Sequence, residues 1–463
     1  MALVILGNID TEERRSVSDG ALIPLNRSEH LYWAGEGYLG SINQPYLLRL
    51  DRPVEEALVR QTLRELTSAF PRLRAVMEPT LTTYKLRILP DDRIVEQLFN
   101  DAYRIQRGVD ASSREELHAF HTEFINEPSS LERGLPWRAR FIDHPEKPAL
   151  LFAVHHIVGD GRSMVQMLSA IMARLSGQAI TPCPLQSSSM VPAVTPLHWW
   201  QWPASIAAWW RNSRRDAREA AGQQVVTLAH QASPRFTTVG IRYHELPGNQ
   251  TQLRATAKEL GTTVNTLMLA LVANTFLARD QQNPKAVAAI RISVDLRRYF
   301  PQGQQPEFGN FVSSFTVRAT HQATLADQLR SIEAQVKDHM GRYERRDYAL
   351  PLMLYEWLPL VGRTLFSHLI VKSQAKGSLP PLSCHFSNLG SVEAIHPAEP
   401  QVRIAELWPT TLSTVFIVGL VSLNGKLFFT SIHQQAEIEE HSVTQFLAAM
   451  DAQLQELAAR PSA

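Results

Sequence analysis

The sequence predicts an α/β protein made of two similar domains. Three observations predict it. At 463 residues the chain is too long for one ordinary hydrophobic core. Short runs with a strand period alternate with amphipathic runs with a helical period along both halves. Between the halves the composition turns polar and proline-rich, with Thr181-Pro182-Cys183-Pro184, Ser187-Ser188-Ser189 and the stretch Pro192 to Pro196. The expected organisation is therefore a domain over 1–177, a linker over 178–238 and a second domain over 239–463.

In chain order, Pro24 to His30 opens a helix, with Asn26 or Ser28 as its cap. Tyr46 to Leu50 reads as a strand, and Val54 to Phe70 as an amphipathic helix stopped by Pro71. Residues 75–100 read as short strands, among them Thr83 to Leu89. Ser112 to Glu127 reads as a helix with His118 and His121 on one face. That spacing suits a metal, but no third ligand stands nearby, so a solvated face is expected. Trp137 to Asp143 alternates as a half-buried strand. The turn residues His144 to Pro148 should pair it with Ala149 to Val154, a continuous apolar run that reads as a buried strand. Met164, Val165, Met167, Leu168, Ile171, Met172 and Leu175 then mark a helix.

In the second half, Ile241 to Leu246 is an expected strand and Asn249 to Leu260 a helix. Thr262 to Asn265 caps a long apolar helix running to Leu277. Ala286 to Val294 is a strand, and Thr324 to Met340 and Leu350 to Leu365 are helices. Thr414 to Leu423 and Lys426 to Ile432 flank Asn424-Gly425, a strong hairpin signal. A helix over His441 to Leu457 closes the chain.

Between the strand at 149–154 and the helix after it stands His155-His156-Ile157-Val158-Gly159-Asp160-Gly161. Imidazole, with an unperturbed pKa of about 6.5, is well suited to accept a proton near neutrality. A buried Asp160 would require a cationic partner elsewhere in the chain. Gly159 and Gly161 permit backbone geometry that a Cβ forbids. A rigid strand and helix flanking such a loop suit a reactive centre.

This HHxxxDG string resembles the signature of the CoA-dependent acyltransferase superfamily. That group includes chloramphenicol acetyltransferase, plant BAHD enzymes, wax ester synthases, polyketide-associated acyltransferases and the condensation domains of nonribosomal peptide synthetases. Other phrases agree over about residues 20 to 457. Phe70-Pro71-Arg72-Leu73-Arg74 is similar to the family's HPxLR segment, with Phe70 in place of His. Ala257 to Asn265 resembles a further shared segment, and Asp295-Leu296-Arg297-Arg298 resembles the "vDLR" phrase. Phe308-Gly309-Asn310-Phe311-Val312 is similar to a "GN" segment, and Leu382-Ser383-Cys384-His385-Phe386-Ser387-Asn388-Leu389-Gly390 to the "SN-x-G" strand and turn of the wax-ester and polyketide-associated enzymes. The BAHD string DFGWG does not occur.

The resemblance implies two chloramphenicol-acetyltransferase-like domains, each a mixed, mostly antiparallel sheet flanked by helices, with the active-site tunnel between them. It implies His156 as general base, with His155, Asp160, Gly161 and Arg297 structural at the site. Arg297, or Arg298 beside it, would pair with Asp160. Asn310, Ser383 and Asn388 are candidate substrate or oxyanion contacts, alongside the Gly161 amide and a bound water. No metal and no permanently bound cofactor are implied. Acyl-CoA or a phosphopantetheinyl carrier protein would be the co-substrate and an alcohol or amine the acceptor.

With 44% hydrophobic and 20% charged residues and a formal charge of +1, the chain carries no electrostatic footprint for nucleic acid. Cys183 and Cys384 are expected as buried free thiols in a reduced, cytoplasmic setting. Met1 to Leu6 is too brief for a signal peptide. Five of the nine tryptophans fall between Trp199 and Trp210, followed by Arg211, Arg214, Arg215 and Arg218. Rings beside a basic cluster suit a peripheral membrane contact or a large apolar partner, the alternative being that they pack the linker onto a domain.

Three functions fit these residues. One is an O-acyltransferase making an ester directly from a thioester, since no GxSxG nucleophile occurs. The second is a free-standing condensation enzyme joining a carrier-bound acyl group to an amine or hydroxyl. The third is a non-catalytic binding module, which an intact His156 opposes.

Overall fold

The computed structural model describes residues 20–39, 42–81, 83–231, 238–357 and 381–459, together with 365, 368, 369 and 372. The first six positions and the far part of the helix expected over 350–365 lie outside the described residues.

In the first half, β1 (Ala21–Pro24) leads to α1 (Arg27–Leu39), β2 (Asn43–Leu50), α2 (Glu56–Ala69), β3 (Ala75–Pro79), β4 (Tyr84–Ile88) and α3 (Arg93–Ala102). There follow β5 (Tyr103–Gln106), α4 (Arg114–Asn126), β6 (Trp137–Ile142), β7 (Ala149–His155) and α5 (Gly161–Leu175). The connector holds the single turn α6 (Val191–Val194) and the long α7 (Trp202–Ala220). The second half comprises β8 (Gln224–Val225), β9 (Val239–Glu245), α8 (Gln250–Glu259), α9 (Val264–Leu277), β10 (Ala286–Asp295), β11 (Val312–Thr320), α10 (Leu325–Glu344) and α11 (Ala349–Trp357). It ends with β12 (Cys384–Ser391), β13 (Ile404–Pro409), β14 (Ile417–Leu423), β15 (Lys426–Gln434) and α12 (Glu440–Ala458).

Local chemistry sets several of these boundaries. Asn26 caps α1, its Oδ1 accepting from the amides of Ser28 and Glu29 at 3.0 Å each. Thr263 caps α9 through the amide of Thr266. Asn424 and Gly425 both take positive φ, 53° and 73°, which joins β14 to β15 by a two-residue turn. Residues 93–102 form a helix where only strands were expected. Asp92 caps it by accepting from Ile94, and Ile94, Val95 and Phe99 bury its inner face.

Two sheets carry the molecule. The first has the order β13-β2-β7-β6-β5 and the second β11-β10-β12-β14-β15-β9, while β1-β4-β3 forms a small third sheet. β6 and β7 pair antiparallel across the 144–148 turn. β13 departs from the expected division at 239. It pairs antiparallel with β2, so the second half lends a strand to the first sheet. Its burial explains the exchange, because Ile404, Leu407 and Trp408 complete the first core, which a four-stranded sheet would leave open on that edge.

The junction of the halves also corrects the expectation for His118 and His121. Neither stands on a solvated face. His121 is fully buried, with Nδ1 2.5 Å from the Tyr243 hydroxyl and Nε2 3.1 Å from the Pro45 carbonyl, and His118 Nε2 lies 2.6 Å from the Ile241 carbonyl. α4 packs on β9 of the other half, and a helix face at such a seam needs polar groups that satisfy strand carbonyls. Both cysteines are buried and free. Among the described residues no single helix is long and apolar enough to cross a membrane.

Candidate active site

β7 is buried along its whole length and ends at His155, so the chain leaves the first core directly into the HHxxxDG loop. The loop is tied from three sides. The amide of His156 donates to the Ile42 carbonyl at 2.8 Å, and Gln44 Nε2 donates to the Gly159 carbonyl at 2.7 Å. From below, Arg72 donates to the Ile157 carbonyl at 2.8 Å and pairs with the buried Glu29 carboxylate. Arg72 belongs to the Phe70–Arg74 phrase.

Asp160 is the N-cap of α5, its Oδ1 accepting from Ser163 N at 3.0 Å. Its Oδ2 accepts from Arg297 Nη1 at 2.7 Å and from the amide of Phe311 at 2.9 Å, and Arg297 Nη2 reaches Oδ1 at 3.3 Å. The cation beside Asp160 is therefore Arg297, while Arg298 is exposed. Arg297 also donates to the carbonyls of Pro306 and Gly309, at 3.1 and 2.8 Å. One buried pair thus clamps the motif loop of the first half to the 306–311 segment of the second. Glycine at 159 is a packing requirement, because a Cβ there would lie 2.5 Å from Ser163 Cβ.

His155 is fully buried. Its Nδ1 accepts from the amide of Ile157 at 3.2 Å, and its Nε2 lies 3.6 Å from Glu36 Oε1, a structural setting facing away from the cavity. His156 instead lines a cavity of about 510 Å³ between the halves. Its ring packs on Tyr32, with centroids 4.7 Å apart. The Asn310 amide nitrogen lies 3.1 Å from His156 Nδ1 and donates to the His156 carbonyl at 2.8 Å. Burial pushes the His156 pKa down to about 4 against the upward pull of its own and the Gly159 carbonyl, so the ring is neutral at pH 7.

The three candidate contacts separate. Asn310 is buried behind His156 and touches the ring. Asn388 lines the cavity, where its Nδ2 donates to Asn265 at 3.3 Å. Ser383 does not reach the cavity, which corrects its assignment as a substrate contact. Its hydroxyl donates to the Val226 carbonyl at 2.6 Å and accepts from the Ala289 amide at 2.9 Å, tying strands together. Gly161 lines the cavity at the start of α5.

Sequence reasoning missed a second polar pair in the same cavity. Ser293 Oγ lies 2.8 Å from His385 Nε2, on the neighbouring parallel strands β10 and β12. Burial, with Arg291 and His156 adding to it, lowers the His385 pKa to about 3. The available signal was the alternation of Arg291, Ser293 and Asp295 on β10, but nothing local announced its pairing with β12. Among the described residues, no cluster of three or more His, Cys, Asp or Glu side chains is placed to hold a metal ion.

Comparison with known proteins agrees with this geometry. The family model described as "Condensation domain" matches residues 39–371. Surfactin synthase subunit 1 of Bacillus subtilis (strain 168) is 23% identical over 322 residues, 67% of this chain and 8% of its own. The chain spans less than a tenth of the length of the curated relatives it matches. Among solved structures, the first condensation domain of the calcium-dependent antibiotic synthetase, in complex with a substrate analogue, superposes with a TM-score of 0.68 at 15% identity, covering 96% of this chain and 98% of that one. The TRI3 trichothecene 15-O-acetyltransferase of Fusarium sporotrichioides gives a TM-score of 0.64 at 12% identity, covering 92% and 93%. The two-lobed acyltransferase fold expected from the sequence is therefore present, and the chain belongs to the condensation-domain family.

Proposed function

We propose that this protein transfers an acyl group from a thioester directly to an acceptor hydroxyl, forming an ester, with His156 as general base. The observation that carries the proposal is a neutral imidazole lining a cavity between the two halves. The acceptor O–H gives its proton to His156 Nε2 as its oxygen attacks the thioester carbonyl carbon. The tetrahedral oxyanion then collapses, the C–S bond breaks, and the departing thiolate takes the proton back from the imidazolium. The thiol of CoA or of a phosphopantetheinyl arm is released, and no acyl-enzyme forms.

In this scheme Nδ1 keeps the ring proton, favoured by the His156 and Gly159 backbone groups that pull the ring's pKa upward. Asn310 then retains only its bond to the His156 carbonyl and acts as a positioning residue. Asp160, tied to Arg297, holds the loop and relays no proton. Gly161 N and Asn388 remain the candidate oxyanion donors. Proton removal by a positioned base contributes about 10²- to 10⁴-fold, and the remainder comes from holding both substrates in the cleft.

A hydroxyl acceptor is favoured by the lining. Its carboxylates, Asp160 and Asp295, are both paired with arginine, so neither is free to hold an ammonium. Family membership supports a second reading, an amide made from a carrier-bound donor. Thiol release from acyl-CoAs and acylated carrier proteins, with hydroxyl and amine acceptors and mass spectrometry of the product, separates the two. The expected result is an ester whose formation drops at least about 10²-fold in His156→Ala. Because the ring is already neutral above about pH 5, kcat should not titrate near 6.5. Wild-type turnover by a folded His156→Ala protein would remove the assignment.

A further inference from the structure

The tryptophan-rich stretch is not absorbed by the active site, and the structure divides it. Trp202 and Trp209 are half-buried, Trp202 against the second core. Trp199, Trp200 and Trp210 are 80%, 59% and 53% exposed. Packing onto a domain thus accounts for two of the five rings.

α7 has an unusual polarity. A surface helix of a globular domain buries its apolar stripe and shows water its polar one. In α7, positions 205, 208, 212 and 216 face inward, and much of that anchorage is polar. Ser205 hydrogen-bonds the Arg346 carbonyl, Asn212 donates to Asp347 at 3.2 Å, and the Asp216 carboxylate takes two bonds from the buried Arg342 at 2.6 and 2.8 Å. Outward, at helical spacing, come Pro203, Ile206, Ala207 and Trp210, continuing the exposed Leu197, Trp199 and Trp200. α11 packs beside α7 and adds Leu354 and Trp357, each about half exposed.

The same helix carries uncompensated charge. Arg215 is paired with Asp338, whereas Arg211, Arg214 and Arg218 are exposed and make no ion pair among the described residues. Arg214 stacks on Trp210, 3.4 Å from the ring centroid, so cation and ring share one side. Protruding indoles, an outward apolar stripe and guanidiniums outside any ion pair, on one helix and the turn before it, match what a lipid interface takes. Indole rings settle at headgroup level and arginines pair with anionic headgroups.

We propose that the outer face of α7 and of the turn that leads into it, from Trp199 to Arg218, binds an anionic membrane surface peripherally. This goes beyond the acyl-transfer proposal and stands without it, because no residue named in it lines the catalytic cavity. A protein partner is the competing occupant.

The test uses the full chain with extruded phosphatidylcholine vesicles, with and without 30% phosphatidylglycerol (roughly the anionic content needed for a strong surface field). Co-sedimentation and tryptophan fluorescence are both read. The expected result is binding to the anionic vesicles with a blue shift, weakened at least about tenfold at 0.5 M salt (roughly a 4 Å screening length). Trp199→Ser/Trp200→Ser/Trp210→Ser and Arg211→Gln/Arg214→Gln/Arg218→Gln should each lose at least about tenfold in partitioning. The arginine variant alters only exposed side chains outside any ion pair, so it remains informative should the tryptophan variant fold poorly. No sedimentation of wild type with anionic vesicles, or equal binding by the arginine variant, would overturn the proposal. Self-association abolished by the tryptophan changes, without vesicle binding, would overturn it too and assign the face to a second protein copy.

Discussion

Replacing Arg297 by Met should destabilise the whole protein while leaving the His156 imidazole chemically intact. The guanidinium is buried and donates to Asp160 and Ser163 across the seam between the halves, and to the Gly309 and Pro306 carbonyls on its own side. Removing it leaves the Asp160 carboxylate with only two backbone amides in a buried site. Breaking such a pair from one side costs about 3–5 kcal/mol. Unfolding entropy of about 2.1 cal/mol/K per residue, applied to 463 residues, gives about 1 kcal/mol/K. If the halves unfold as one unit, Tm should therefore fall by about 3–5 °C. Asp160→Asn/Arg297→Met removes the stranded charge as well, so its cost should fall short of the two single costs added together by about 1–3 kcal/mol. Thermal and urea melts of the three variants measure this. Strict additivity, or an Arg297→Met protein within about 0.5 kcal/mol of wild type, would refute the clamp.

Acid should weaken the fold well before carboxylates titrate. Burial lowers six ring pKa values, to about 3 for His121 and His385 and about 4 for His30, His156, His339 and His433. Between the unfolded value of about 6.5 and these values the unfolded chain binds protons that the folded chain refuses, so stability is full above pH 6.5 and falls as pH drops toward 4. Urea midpoints at pH 7.5, 6 and 5 should fall steadily, and a flat series would contradict the burial of these rings. Gly159→Ala should cost about 1–3 kcal/mol through overpacking, since Ser163 cannot retreat from its bonds to Gly309 and Arg297. Turnover should fall with it, and a variant matching wild type in both melting and turnover would show that the loop can yield.

The HHxxxDG loop was legible because its determinants are local. A buried apolar strand, two glycines, a capping aspartate and an amphipathic helix lie within about 30 consecutive residues, where periodicity and capping rules apply directly. The demand for a cation beside Asp160 was equally readable, since an unpaired buried carboxylate is costly whatever the fold. Which arginine answered it depended on the end of β10, where Arg297 turns inward and Arg298 outward. Ser383 was misplaced because the resemblance of its phrase does not say which way the hydroxyl points. At its position just ahead of β12, that hydroxyl is consumed between Val226 and Ala289.

Sequence therefore determined the two-lobed α/β class, most elements and the place of the HHxxxDG loop between strand and helix, through local pattern and the resemblance of its motifs. Tertiary structure decided the rest. It assigned β13 to the other half's sheet and buried His121 in the seam. It also brought Ser293 and His385 together from 92 positions apart and turned three of five tryptophans outward. Each of these depends on pairing and packing between distant segments, which long-range burial selects and local pattern does not encode.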